Sequence, residues 1–264
     1  MRRARMSFSL SNMVHPGTLI SYDQAGVAYR QRFTPKQANL LFLNVGEYEL
    51  PAGSASGPLG VPGHETLLWM WRGTAIATLD GKDICLANYD VLYVPLGASF
   101  SLRNESGETS RIFQTSAPAV NVHPLHHARW DERRADESRI RHLKGKDVFL
   151  MFDVSEGADK LMAGYTCFEP FARSWPPHNH TDQEEVYIFI KGKGSMEVYE
   201  GEESLSFVHS VYEGDMVTIP FLNYHPVFSQ DDPLDFIWCI AGARYWVGDK
   251  NKAFLQGTAD KITT

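Results

Sequence analysis

Pro176-Pro177-His178-Asn179-His180-Thr181-Asp182-Gln183-Glu184-Glu185-Val186-Tyr187 is the most informative stretch of this 264-residue chain. It leads into an apolar run, residues 186–190, and then Gly192, which is typical of a β-strand that ends in a turn. Two histidines separated by one residue are predicted to point to the same side of a strand, because strand side chains alternate between faces. The spacing favours Glu185 as the carboxylate on that side, and its neighbour Glu184 then points to the other.

A second segment supplies a further candidate ligand. Residues 214–220 read as a short strand ending at Pro220, and His225 follows five residues later. Three imidazoles and one carboxylate form a donor set suited to a borderline divalent cation. The sequence therefore predicts a site for one divalent metal, with Zn as the first candidate and Mn, Fe and Ni as alternatives. Its predicted ligands are His178, His180, Glu185 and His225.

Both segments resemble the two sequence motifs of the cupin superfamily. His-x-His, four residues, Glu, six residues and Gly matches the first motif in full. The second is matched except that Leu222 stands at the usual glycine and Ser229 at the usual asparagine, and neither departure falls on a ligand. The Trp-Pro-Pro-His-x-His, Glu-Glu-Val-Tyr, Tyr-His-Pro-Val and Ala-Gly segments resemble the isomerase family that contains 5-deoxy-glucuronate isomerase and 4-deoxy-5-hexosulose-uronate isomerase. The resemblance covers residues 40–248, and it is closer to 5-deoxy-glucuronate isomerase.

The chain carries its strand pattern twice, which indicates an internal repeat. Gly73 heads a strand as Gly192 does, and residues 91–95 parallel residues 216–220. Many short strands with turn signals between them, such as Asp80-Gly81, are typical of an all-β barrel or sandwich. With the resemblance, they predict an all-β bicupin, two cupin β-barrels in tandem. In the first copy the four ligand positions are filled by Leu59, Val61, Thr66 and Phe100.

Only the second copy is therefore expected to bind metal, although His64 and Glu65 would offer ligands if the alignment slipped by one residue. The stretch between the copies is polar and of mixed charge, and it reads as a solvated connection. The predicted segments are an N-terminal lead-in (1–38), an N-terminal barrel lacking metal ligands (39–120), a linker (121–145), a C-terminal metal-binding barrel (146–248) and a tail (249–264).

Composition limits the classes of partner. A net charge of −7 argues against general nucleic-acid binding, which needs a basic surface to displace counterions from phosphates. It does not exclude an anionic small molecule, since a local cationic pocket can exist in an acidic protein. The basic residues 1–6 are not followed by an apolar segment of signal-peptide length, and no stretch is long enough to cross a bilayer. Three widely spread cysteines favour a reducing compartment, so the predicted location is the cytoplasm, with no membrane partner.

The resemblance implies an aldose–ketose isomerase that acts on a deoxy uronic acid, in myo-inositol catabolism for the closer relative. A bound metal would polarise the substrate carbonyl, and a base would move the proton from the neighbouring carbon. Glu185 and Tyr187 are the catalytic candidates, and the base itself is not identified by the sequence. Family resemblance also suggests a homo-oligomer with a small sugar acid as its substrate. Further candidates for substrate contact are Lys191, Tyr224 and Arg244.

Two alternatives share the same ligands. One is an Fe(II)-dependent cupin dioxygenase, and the other is a non-catalytic sugar-binding cupin. The segment 188–195 is closer to a generic cupin hairpin than to the longer, proline-containing segment of the isomerases, so a different sugar acid also fits. Oxygen consumption with iron, isomerisation without oxygen, and binding without turnover distinguish the three.

Overall fold

A computed structural model describes residues 13–14, 22–24, 26–153, 156–174, 177–200 and 204–242. The regular secondary structure in these ranges is almost entirely β, which confirms the predicted all-β class. They contain two four-residue helices, α1 (Pro35–Ala38) and α2 (Trp130–Arg133), and a 3-10 turn at Glu137–Arg139. None of their helices has both the length and the apolar character needed to cross a bilayer.

The first set of strands forms a seven-stranded and a three-stranded sheet that enclose one apolar core. The strands are β2 (Tyr22–Gln24), β3 (Val27–Phe33), β4 (Asn44–Leu50), β5 (His64–Arg72), β6 (Ala75–Leu79), β7 (Lys82–Leu86), β8 (Val91–Val94), β9 (Phe100–Arg103), β10 (Ser110–Pro118) and β11 (His126–Ala128). Their order is β11-β8-β5-β10-β4-β3-β2 in the large sheet and β7-β6-β9 in the small one. Asp80 and Gly81 join β6 to β7 with φ values of 47° and 71°, as predicted for a tight hairpin.

The second set repeats this architecture around its own core. Its strands are β1 (Met13–Val14), β12 (Ile140–Leu143), β13 (Lys146–Phe152), β14 (Leu161–Phe168), β15 (Gln183–Lys191), β16 (Lys193–Tyr199), β17 (Leu205–Tyr212), β18 (Met216–Ile219), β19 (Val227–Ser229) and β20 (Leu234–Gly242). The large sheet has the order β1-β18-β15-β20-β14-β13-β12 and the small sheet the order β17-β16-β19. We call the two sets the first and the second barrel.

Each barrel receives an edge strand from a segment outside its main series. Met13 in β1 pairs with Val217 of the second barrel, and His126 in β11 pairs with Tyr93 of the first. The stretch 121–145 therefore does more than connect the barrels: it contains β11, α2 and β12, which the sequence reading as a solvated connection did not predict. Its apolar side chains explain this, since Ala128 and Ile140 are buried.

The outer faces of the two large sheets pack against each other, so that β5 and β15 are buried on both faces. Aromatic rings fill the contact: the centroids of Trp69 and Tyr165 lie 5.6 Å apart, and those of Tyr93 and Phe152 lie 4.8 Å apart. A strand buried on both faces needs a nearly continuous apolar sequence rather than alternation. This accounts for the apolar run at residues 186–190.

Two buried glutamates join the barrels in equivalent ways. Glu65 in β5 accepts hydrogen bonds of 2.7–3.0 Å from the backbone N–H groups of residues 159–161 in the second barrel. Glu184 in β15 accepts hydrogen bonds of 2.6–2.7 Å from those of residues 41–43. We call these the Glu65 clasp and the Glu184 clasp. Glu65 is thus engaged in joining the barrels, which removes it as a metal ligand for the first one.

Candidate metal centre

Strand β15 places Glu185 inside the second barrel. Glu185 pairs with Ile219 of β18 and Ile240 of β20, and both partners belong to the interior apolar core. Directly paired residues of antiparallel strands share a face, so the carboxylate of Glu185 points inward. Glu184 points the opposite way to its clasp, as strand alternation predicted.

His178 and His180 lie on a loop and not on a strand, which corrects the sequence prediction. Strand β15 begins only at Gln183. The preceding Pro177 has no N–H to donate to a sheet ladder. The loop is held instead by the turn after β18: the Leu222 N–H donates to the His180 carbonyl at 2.7 Å, and the Asn179 amide donates to the Leu222 carbonyl at 3.2 Å.

Leu222 stands where the second motif usually has glycine, and it keeps a backbone conformation that favours glycine. Its φ is +66°, in the left-handed region that favours glycine. The departure therefore changes the residue and keeps the backbone conformation that the loop needs. Such strain next to a constellation of polar side chains is typical of functional sites.

The four predicted ligands converge on one point. One donor atom from each of the four side chains can be chosen so that all lie within 4.8 Å of one another. The ring centroids of His178 and His225 are 4.5 Å apart, and those of His178 and His180 are 5.1 Å apart. His180, Glu185 and His225 are buried, and His178 is partly buried. The geometry therefore brings together every residue that the spacing suggested.

The protonation of His225 leaves a lone pair aimed into the cluster. Its Nδ1 lies 2.9 Å from the carbonyl oxygen of Asn223, and since a carbonyl only accepts, Nδ1 carries the proton. Its Nε2 is buried and makes no hydrogen bond, although the Glu185 Oε2 is 3.1 Å away. Two acceptors facing each other at this distance are stabilised by a cation between them. The backbone carbonyl behind the ring is also the usual way of orienting a metal-ligating histidine.

The electrostatics of the cluster keep its members in metal-binding form. Burial opposes ionisation of Glu185, but the neighbouring imidazoles, above all that of His180, outweigh it and lower the pKa of Glu185 to about 2. Burial, the other two imidazoles, Lys146 and Arg141 together hold the pKa of His178 well below its usual range. An ionised carboxylate and a neutral imidazole are the forms that donate to a metal. The donor set therefore fits one divalent cation.

Tyr187 lies beside the cluster. It follows Glu185 on the same face of β15, and its ring centroid is 5.6 Å from that of His225. Burial and the charge of Glu185 raise the pKa of Tyr187 well above its usual value, so the phenol keeps its proton. Within the described part of the chain its hydroxyl makes no hydrogen bond, although buried tyrosine hydroxyls usually have a partner.

The remaining candidates are not brought to the cluster. The side chain of Lys191 is 59% exposed, and its Nζ lies 3.8 Å from Asp235 on the outer side of the sheet. The backbone of Tyr224 bonds to Tyr199, and no side-chain hydrogen bond or ring contact between Tyr224 and the cluster is present in the described ranges. Arg244 lies outside the described residues.

The sequence analysis did not identify two cationic side chains that lie inside the second barrel. Arg141 in β12 and Lys146 in β13 point into the second barrel, and their charges act on His178. Neither falls in a motif. The available signal was the repeat itself, because extending the alignment back to β3 places Lys146 opposite Val27, an exchange of a cation for an apolar residue.

Comparison with protein families identifies the chain. The family model described as the KduI/IolB family matches residues 19–255, so the chain belongs to this family, whose members are isomerases. The predicted resemblance is thereby confirmed. A search of curated proteins found no match.

Solved structures confirm the fold. An IolB-like protein from Salmonella typhimurium LT2 is 18% identical, with a TM-score of 0.70 over 93% of this chain and 98% of that chain. Oxalate decarboxylase from Lactobacillus farciminis is 14% identical, with a TM-score of 0.72 over 92% of this chain and 88% of that chain. A putative glyoxylate-induced protein from Pseudomonas aeruginosa is 14% identical, with a TM-score of 0.71 over 95% and 94% of the two chains. The chain is a tandem cupin, as predicted.

Proposed function

We propose that this chain is a metal-dependent aldose–ketose isomerase of a deoxy uronic acid, with 5-deoxy-glucuronate in myo-inositol catabolism as its substrate. The observation that carries the proposal is the convergence of His178, His180, Glu185 and His225 inside one barrel of a KduI/IolB-family chain. The other barrel has no such cluster among its described residues. Cytoplasmic location and homo-oligomer formation stay predictions.

The four ligands would hold one divalent ion, for which Zn is our first candidate and Mn, Fe and Ni are alternatives. When bound, the ion supplies Lewis-acid polarisation of a carbonyl and its neighbouring hydroxyl. No redox change is needed for isomerisation, so Zn suffices. With these four donors supplied by the protein, such an ion would still have the capacity to bind oxygen atoms of the substrate.

Tyr187 and Glu185 have different proposed roles. Because Tyr187 keeps its proton, we assign it as a donor to a substrate oxygen, in a water-poor interior where a hydrogen bond to developing negative charge is strong. Glu185 holds the histidine rings and the ion in place with its negative charge. Removal of the carbon-bound proton would fall to another group in the interior of the second barrel.

An anaerobic proton NMR time course with 5-deoxy-glucuronate tests this function directly. We expect conversion to the ketose without oxygen, abolished by a chelator and restored by one equivalent of Zn or Mn. Tyr187→Phe is expected to lower kcat by on the order of 100-fold while metal content is unchanged. Oxygen uptake with added iron would favour the dioxygenase, and uronate binding with no turnover would favour the sugar-binding alternative; either result would overturn the isomerase.

A further inference from the structure

We propose that Arg141 and Lys146 form the binding site for the carboxylate of the substrate, across the interior of the second barrel from the metal ligands. This rests on the proposed function, because it assigns the acidic end of a sugar acid to these two cations and the carbonyl end to the metal centre. It explains why an acidic protein would take an anionic substrate.

Strand register places both cations on the interior face. Arg141 pairs directly with Val148, which belongs to the core of the second barrel, and Lys146 pairs with Phe168 of the same core. Lys146 and Val148 are two residues apart on β13 and therefore share a face. Arg141 is 7% exposed, and Lys146 is partly buried.

Lys146 is also tied to the loop that carries the metal ligands. Its Nζ donates a 2.6 Å hydrogen bond to the hydroxyl of Ser174, four residues before His178. The charge of Lys146 acts on His178, and the charge of Arg141 acts on both His178 and Tyr187. The cations and the metal ligands thus belong to one electrostatic environment.

No ion pair joins Lys146 to a carboxylate within the described ranges, and its hydrogen-bond acceptor there is a neutral hydroxyl. Burial and the nearby positive charge of Arg141 lower the pKa of Lys146 to about 8, and burial lowers that of Arg141 to about 10. A partly buried ammonium without a carboxylate partner is destabilised unless an anion joins it. A substrate carboxylate would supply that anion.

The first barrel provides an internal control. There Tyr29 pairs with Tyr48 as Val148 pairs with Thr166, so the register aligns Val27 with Lys146. Val27 is 2% exposed and packs in the apolar core. The barrel that lacks the metal ligands therefore also lacks the lysine. If Lys146 were needed only to build the barrel, the two features would have no reason to differ together.

Lys146 also borders a cavity, which lies between the start of β13 and the segment after β14. The cavity has a volume of about 510 Å³ and is lined by residues 143–146 and 169–173. Arg141 and Lys146 thus place two cationic side chains inside the second barrel of a chain whose net charge is −7.

The first arm of the test compares two substrates. Isomerisation of 5-deoxy-glucuronate and of its uncharged methyl ester is measured for Lys146→Met and Arg141→Met, with Lys193→Met and Arg129→Met as exposed controls. We expect each interior variant to raise KM for the acid by about 10- to 100-fold, the effect of losing a hydrogen bond to a charged group. KM for the ester and the metal content should stay unchanged, and Lys146→Arg should recover most of the affinity. Equal losses for acid and ester, or losses no larger than in the controls, would overturn the proposal.

The second arm needs no turnover, so it separates this proposal from the proposed function. Binding of glucuronate and of glucuronate methyl ester to metal-loaded protein is measured by calorimetry, with circular dichroism to confirm that each variant is folded. If the wild type does not isomerise but binds glucuronate through Lys146, the function fails and the carboxylate site stands. If the wild type isomerises and Lys146→Met and Arg141→Met bind glucuronate normally, the carboxylate site fails alone. Absence of both activities from the wild type would overturn both.

Discussion

The two barrels share one architecture and differ in the side chains that fill the interior near the start of β5 and of β15. In the first barrel, Leu59 and Phe100 exchange backbone hydrogen bonds of 2.6 and 3.0 Å and pack in the apolar core. At the corresponding positions of the second barrel, the rings of His178 and His225 lie 4.5 Å apart. The same backbone arrangement thus accommodates either packed apolar side chains or a cluster of polar ones.

The difference has an energetic meaning. Burying imidazoles and a carboxylate costs free energy unless they are paired or coordinate a metal, whereas leucine and phenylalanine gain from burial. The apolar interior of the first barrel therefore stabilises the fold, and its outer face contacts the second barrel. The polar cluster of the second barrel lowers stability when no metal is bound. Large outer-face contacts and the two clasps let one barrel support the other.

Replacing one metal ligand should have the largest effect. Glu185→Gln is expected to abolish metal binding and to reduce isomerase activity by more than about 100-fold, because even outer-shell changes around a metal cost 10- to 100-fold. The measurement is metal content by mass spectrometry together with kcat. Glu184→Gln is the matched control, one residue away on the opposite face, and it should retain the metal. Equal metal loss in the two variants would contradict the assigned faces.

The Glu65 clasp and the Glu184 clasp should contribute similar amounts to the free energy of unfolding, although their glutamates belong to different barrels. In Glu65→Gln and in Glu184→Gln an amide NH₂ replaces an acceptor, so a buried backbone N–H loses its partner. We expect each change to lower the free energy of unfolding by about 2–3 kcal/mol in urea titrations. A loss in only one of the two variants would show that the clasps are not equivalent.

Filling the second barrel with the residues of the first tests the comparison itself. The variant combines His178→Leu, His180→Val, Glu185→Thr and His225→Phe. We expect a folded, metal-free protein whose free energy of unfolding exceeds that of the metal-free wild type by about 1–3 kcal/mol, since a buried polar cluster is replaced by apolar groups. Urea unfolding in excess chelator gives the comparison. A variant less stable than the metal-free wild type would mean that the histidines are needed for packing.

The pH dependence of substrate affinity should be the smallest effect. Lys146, with a pKa of about 8, is charged below that pH and neutral above it, while the facing Arg141 stays charged to about pH 10 and His178 stays neutral. KM for the uronate should therefore rise by up to about tenfold between pH 7 and pH 9. Lys146→Arg should flatten the profile, because arginine does not deprotonate in this range. An unchanged profile in that variant would exclude Lys146 as the titrating group.

Sequence analysis could predict the metal ligands because each has a short-range spacing signal. Strand alternation also separated Glu184 from Glu185 correctly. It could not show what Glu184 binds, since the loop at residues 41–43 is more than 140 positions away. The donors there are backbone N–H groups, which no particular residue type marks in the sequence. Sequence analysis also failed to predict that His178 and His180 lie on a loop, because the same His-x-His spacing occurs in strands and in extended loops.

The interior cations show a different limit. Lys146 opens a strand, where a lysine usually reads as a solvated end, and Arg141 lies in a stretch of mixed charge that resembles a linker. The strand register, which pairs Arg141 with Val148, shows that they face the core. A longer alignment of the repeat would have exposed the exchange of Val27 for Lys146.

The most direct test of the account is a titration of metal-free protein with Zn, or with Mn if Zn is inactive, while isomerisation of 5-deoxy-glucuronate is followed without oxygen. We predict that activity rises linearly and reaches a plateau at one ion per chain, and that Glu185→Gln shows no rise. Full activity in the metal-free protein would contradict a catalytic metal in the second barrel, as would a plateau that requires two ions per chain.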